Sequence, residues 1–135
     1  LKPCGGRRLV KKLVIVCVIF ALVIGMGIAE TIYTYGVYDE IYVTLTEVKE
    51  SIGAEFGQDT LPLTQKAVKK WKDNKEILFC LGNHNVLRTV DEKLTSLGKM
   101  VEIDYVDDAK VNLDVCLSLI EAVRNDNVPN LTNMF

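Results

Sequence analysis

The chain changes its hydrophobic pattern twice. From Leu13 to Ala29 it reads LVIVCVIFALVIGMGIA, apolar at every position and without a charge. From Val37 the apolar residues thin to one face: Val37, Ile41, Leu45, Val48, Ile52 and Phe56 follow in steps of four and three. That spacing predicts an amphipathic helix, ended by Gly57 and the polar run Gln58, Asp59, Thr60. A second helix is expected from about Leu61. Asp59 or Thr60 would cap it, Pro62 suits its first turn, and Leu63, Ala67, Trp71, Leu78 and Leu81 would form its buried face. Lys66, Lys69, Lys70 and Lys72 then form a solvated basic patch on its other faces. Gly82-Asn83 stops or kinks it. The third helix carries Leu87, Val90, Leu94, Leu97 and Val101 at steps of three and four, the cleanest seam in the chain. After a break around Glu102 to Asp104 comes a fourth, with Val106, Ala109, Leu113, Cys116 or Leu117, Ile120 and Val123 inward. It would end at Val128-Pro129.

Four amphipathic helices with short connections cannot bury their apolar faces singly. The predicted fold is therefore all-α: an N-terminal transmembrane helix followed by a small antiparallel bundle of about four helices. The boundaries read from the pattern are a basic tail over 1–12, a membrane helix over 13–33 and a bundle over 37–135. No proline separates the membrane helix from the first bundle helix, so the two are read as one long helix or as a pair bent at Gly36.

Leu13 to Ala29 would rise roughly 26 Å as a helix at 1.5 Å per residue, and Thr31, Ile32 and Tyr33 extend it to bilayer thickness. Charge adds an orientation. Residues 1–29 hold five bases (Lys2, Arg7, Arg8, Lys11, Lys12) and no acid, whereas residues 30–135 hold all 18 acids and 11 bases. The +5 end belongs on the cytoplasmic side by the positive-inside rule, and Tyr33, Tyr35 and Tyr38 fall where aromatic rings favour the opposite headgroup zone. The expectation is a single-pass protein of the cell membrane, N-terminus inside and bundle outside. The competing reading is a cleaved signal peptide with Gly27-Ile28-Ala29 as its small-x-small site, but the apolar run is longer than a usual signal core. Cys17 lies inside the run and Cys4 before it, which rules out a lipoprotein reading. Ala21, Gly25 and Ala29 recur every fourth residue and offer a face on which two membrane helices can approach closely. The net charge of −7 over residues 30–135 repels phosphate backbones and argues against a nucleic-acid partner.

Candidate chemistry is sparse. No metalloprotease, P-loop, Rossmann or serine-hydrolase signature is present, and the chain is read as a non-enzyme without metal or cofactor. His84 is the single histidine; its place between helices suits a hydrogen bond to an exposed helix end better than catalysis. Cys80 and His84 share a helix face, with Cys116 a third conceivable zinc ligand, though the spacing is not that of a structural zinc motif. A disulfide between Cys80 and Cys116 is open outside the cytoplasm; it would close a loop of about 35 residues, stabilising by roughly 3–4 kcal/mol. Both cysteines also fit apolar faces as buried thiols. Trp71 reads as core. Glu102, Asp104, Asp107 and Asp108 lack the glycine and spacing of a calcium loop and read as helix-start acids, with Arg124 at the opposite end. The sequon-like Asn130-Leu131-Thr132 is most simply chance in a bacterial protein. Leu131, Met134 and Phe135 close the chain with an apolar tip that either folds back on the bundle or meets a partner.

Trp71 in a lysine-rich helix, the run Leu78 to His84, a helix of the Val86–Leu97 type and the ending Asn130 to Phe135 together carry a resemblance. The chain resembles a family of small Gram-positive membrane proteins catalogued as a domain of unknown function. Its shared features are one N-terminal membrane helix, a Trp-containing helix, a histidine before the next helix and an ending like Leu-x-Asn-Ile-Phe. Trp71, His84, Asn133 and Phe135 match that pattern, with Met134 in place of isoleucine. The resemblance implies an architecture and no activity. The functional expectation is a membrane-anchored extracytoplasmic interaction or scaffold module, meeting the lipid bilayer and an envelope protein or a second copy. The alternative is a small-ligand or sensory domain binding between helices near Trp71 and His84.

Overall fold

The computed structural model describes residues 3–126, with side chains from Gly5 onward. Four α-helices account for almost all of them: α1 (Pro3–Ser51), α2 (Thr60–Leu81), α3 (His84–Glu102) and α4 (Val106–Asp126). The fold is all-α, and its one β feature is an isolated bridge between Ile52 and Phe56. Asn133 and Phe135, the apolar tip and the Val128-Pro129 stop lie outside the described residues.

The chain divides into two units at Tyr33/Thr34, and α1 contributes to both. The helix begins at Pro3, so the basic segment over 1–12 is helical from there on, and it runs through Gly36 without a break. In the first unit the apolar side chains are bare from Leu9 to Ile32, none of the membrane-length window being buried. This is one helix long and apolar enough to cross a membrane.

The second unit is the bundle. Along α1, Val37, Tyr38, Ile41, Leu45 and Val48 are buried, the one-sided stripe predicted from the spacing. Tyr38 corrects the aromatic-belt reading: it follows Val37 on the inward face and is core. The helix also stops earlier than expected, at Ser51, leaving Ile52 and Phe56 in the turn. There the Gly57 amide donates to the Ser51 carbonyl at 3.1 Å, and a Cβ at 57 would stand 2.6 Å from that oxygen. The reversal therefore needs glycine, which propensity along α1 does not reveal.

Capping of α2 differs from expectation as well. Asp59 occupies the cap position without a side-chain hydrogen bond, while the Thr60 hydroxyl pairs with the Ser51 hydroxyl at 2.7 Å. The buried face of α2 is Thr60, Thr64, Ala67, Trp71 and Leu78; Leu63 is half-buried and Leu81 exposed. Thr64 is tolerated inside because its hydroxyl donates to the Thr60 carbonyl at 2.7 Å.

Helix α3 follows the sequence closely. Asn83 caps it, its Oδ1 accepting from the Asn85 amide at 3.0 Å, and Leu87, Val90, Leu94, Leu97 and Val101 are all buried. It packs against both α2 and α4. Asp104, expected in the first turn of α4, instead makes the connecting turn with φ 61°, a left-handed conformation that aspartate accepts more readily than bulkier residues. On α4 the inward residue of the ambiguous pair is Cys116, with Leu117 half-buried.

Ion pairs fix how α1 meets its neighbours. Asp39 pairs with Arg124 at 3.1 Å and Lys49 with Asp114 at 3.0 Å. A step forward along α1 thus matches an equal step back along α4, an antiparallel register. Lys70–Glu40 at 2.9 Å and the Ser51–Thr60 hydroxyl pair set α2 antiparallel to α1 in the same way.

Gly57→Ala should lower stability by about 1–3 kcal/mol, the range for forced overpacking, because the Ser51 carbonyl cannot retreat without opening the α1–α2 turn. Thermal denaturation followed by circular dichroism measures it, with Gly53→Ala, where a Cβ meets nothing within 4 Å, as the control.

Candidate functional site

The periodicity of α2 drives Trp71 into the bundle, where it is 0% exposed. A buried indole N–H needs an acceptor, and Asp91 on α3 supplies it: Nε1 donates to Oδ1 at 2.7 Å. Lys75 lies 3.7 Å from the same oxygen. The Phe79 ring stands 6.3 Å from Trp71, and His84 meets Phe79 edge-on at 5.7 Å. Three rings therefore form a row from the core to the exposed His84. Phe79 thus stands between Trp71 and His84, where the alternative reading placed a ligand. The helix-end hydrogen bond assigned to His84 is made by the neighbouring Asn83 side chain, and the imidazole has a packing contact in its place.

The cysteines do not converge. Cys80 is exposed near the end of α2, Cys116 is buried in mid-α4, and both are free thiols. The Cys80–Cys116 disulfide is therefore not formed. The two α-helical faces that carry these residues point to different environments, which spacing along the sequence does not show. Among the described residues no three His, Cys, Asp or Glu side chains are grouped to hold a metal ion, so Cys80, His84 and Cys116 make no zinc site. Burial pushes the Cys116 thiol up to about 12, against a smaller downward pull from Lys93. It is a packing residue and a poor nucleophile at neutral pH. On the first unit Ala21, Gly25 and Ala29 are exposed, and a Cβ at Gly25 would meet nothing within 4 Å. That stripe is open to a second helix.

Three further features were not legible as sites. Arg124, read as a helix-end cation, reaches across to α1. Its guanidinium lies 4.5 Å from the Tyr42 ring centre and 5.9 Å from that of Tyr35, and it donates to Asp39. Tyr35, Asp39 and Tyr42 share one face of α1 by their spacing, which is the only local signal for this clamp. Second, α4 leaves Val111 67% and Val115 38% exposed, one turn apart, in an open depression of about 470 Å³ shared with Ser118 and Leu119. Third, a groove of about 390 Å³ runs between α2 and α3, with Lys69 and Lys72 on one side and Lys99 on the other.

No family model, no curated protein and no solved structure matches the chain.

Asp91→Ala should lower stability by about 1–3 kcal/mol by stranding the Trp71 N–H in the core, whereas Asp91→Asn, which keeps a carbonyl acceptor, should recover most of the loss; chemical denaturation distinguishes them. Cys116 also predicts a pH dependence. Its raised folded value means that the unfolded chain loses the thiol proton first, so the contribution to stability is present below 9.0 and is lost between there and about 12. In denaturation series over that interval, wild-type stability should fall relative to Cys116→Ala.

Proposed function

We propose that this chain is a membrane-anchored extracytoplasmic interaction module, with the exposed stripe of α4 as its contact face. The observation that carries the reading is the uncovered pair Val111 and Val115. Single exposed apolar residues are ordinary, but Val111 and Val115 stand in successive turns beside Leu119 in a shared depression, with Asp114 and Ser118 as its polar edge. The bare apolar stretch of α1 supports the anchor. Arg7, Arg8, Lys11 and Lys12 before it support an N-terminus on the cytoplasmic side, which puts the bundle outside.

The partner is another envelope protein or a second copy of the chain. For a second copy, the stripe Ala21, Gly25, Ala29 gives the membrane helices a face on which to meet. A bundle held to a membrane needs little intrinsic affinity, because confinement raises the effective concentration of a partner in the same membrane.

A photoreactive residue placed at Val111 or at Val115 in intact membranes should give one dominant adduct on illumination, its mass identifying an envelope protein or a dimer. The same residue at Glu92, exposed on α3, should give none. No adduct from α4, or equal adducts from Glu92, would sink the reading.

A further inference from the structure

We propose that the α2–α3 groove binds a small anion that also carries hydroxyl groups, of the class of sugar phosphates and hydroxy acids. The starting point is a gathering of lysines: Lys66, Lys93 and Lys110 also stand outside any ion pair among the described residues, but only Lys69, Lys72 and Lys99 share one groove. The bundle is acidic, and Lys49, Lys70 and Lys75 each find a carboxylate within 4.0 Å. Lys69, Lys72 and Lys99 line one groove and have no carboxylate within ion-pair distance among the described residues. Lys69 and Lys72 are three apart on α2 and so lie on neighbouring turns of one face; Lys99 faces them from α3. Three ammonium groups against the two carboxylates of Asp73 and Glu102 leave the groove's lining net positive on an acidic bundle, a local potential that favours an anion.

The remaining lining residues narrow the chemistry. Gly98 leaves the α3 side without a side chain: a Cβ there would come within 3.5 Å of Val68 Cγ2 on α2. Thr95 and Gln65 add neutral hydrogen-bonding groups. Asp73 and Glu102 line the same groove, and carboxylates discourage a bare anion while accepting hydrogen bonds from hydroxyl groups. Three ammonium groups for the anion and two carboxylates for hydroxyls describe a ligand with both functions. The volume, about 390 Å³, is at the small end of ligand pockets. This site is separate from the α4 stripe and from the Trp71–His84 row, and does not depend on the proposed interaction function.

The test uses the full chain, ¹⁵N-labelled in detergent micelles, titrated with glucose 6-phosphate, inorganic phosphate or glucose and followed by NMR. Glucose 6-phosphate should shift amides at Lys69, Lys72, Thr95, Gly98 and Lys99 saturably, at concentrations of about 1 mM or below, the weak end of specific affinity. Inorganic phosphate should bind the same residues at least tenfold more weakly, and glucose should leave them unmoved. The triple variant Lys69→Gln, Lys72→Gln, Lys99→Gln, all surface changes, should keep the helical spectrum and lose at least tenfold in affinity. Lys66→Gln with Lys110→Gln, outside the groove, should bind as wild type. Absence of saturable shifts, equal binding of inorganic phosphate, or equal losses in the two variants would each overturn the proposal.

Discussion

Leu87, Val90, Leu94, Leu97 and Val101 place an unbroken apolar seam on α3, which packs against both α2 and α4. Each fully buried aliphatic side chain of this kind is worth roughly 1.5–3 kcal/mol. The seam therefore supplies much of the burial that holds three of the four helices together. It also dictates what faces it: Trp71 from α2, with its N–H answered by Asp91 on α3, and Asn112 from α4, whose Nδ2 donates to the Lys93 carbonyl at 2.9 Å. Both buried polar groups are satisfied by α3 itself, so the central helix sets packing and polar register together.

The joining of α1 to this core is more polar. Its stripe of Val37, Tyr38, Ile41, Leu45 and Val48 is buried, but its alignment is marked by Asp39–Arg124, Glu40–Lys70 and Lys49–Asp114. Exposed pairs such as Lys49–Asp114 add little stability singly. Arg124 is different: it is mostly buried, stacked over Tyr42, and its Nε has no hydrogen-bond partner among the described residues. Stacking and one charged hydrogen bond hold it there at the expense of an unsatisfied donor, which makes the α1–α4 junction specific about register.

The same helix thus has two characters along its length. From Leu13 to Ala29 its side chains are apolar on all sides and bare; from Thr34 to Ser51 one face is buried and most of the others are polar. The bundle's outward surface includes the depression on α4 beside Val111 and Val115, the exposed Ile77 and Leu81 one turn apart on α2, and the lysine-lined groove between α2 and α3.

Much of this was decided locally. Helix period alone fixed the seam of α3 and most of the inward residues of α1 and α4, and Gly82-Asn83 marked the break between α2 and α3, because each signal is complete within one or two turns of chain. The all-apolar stretch was equally plain. Tertiary structure decided what depends on partners far along the chain. Ser51 and Gly57 close a turn that helix propensity ran through. Cys116 rather than Leu117 is inward because α4 rotates to suit α3, and Cys80 remains apart from it. Arg124 meets an aspartate 85 residues away. The lysines of α2 read as one solvated patch, yet Lys70 is paired with α1 while Lys69 and Lys72 flank a groove, since only the packing of a second helix determines which side of a helix is a wall and which is solvent.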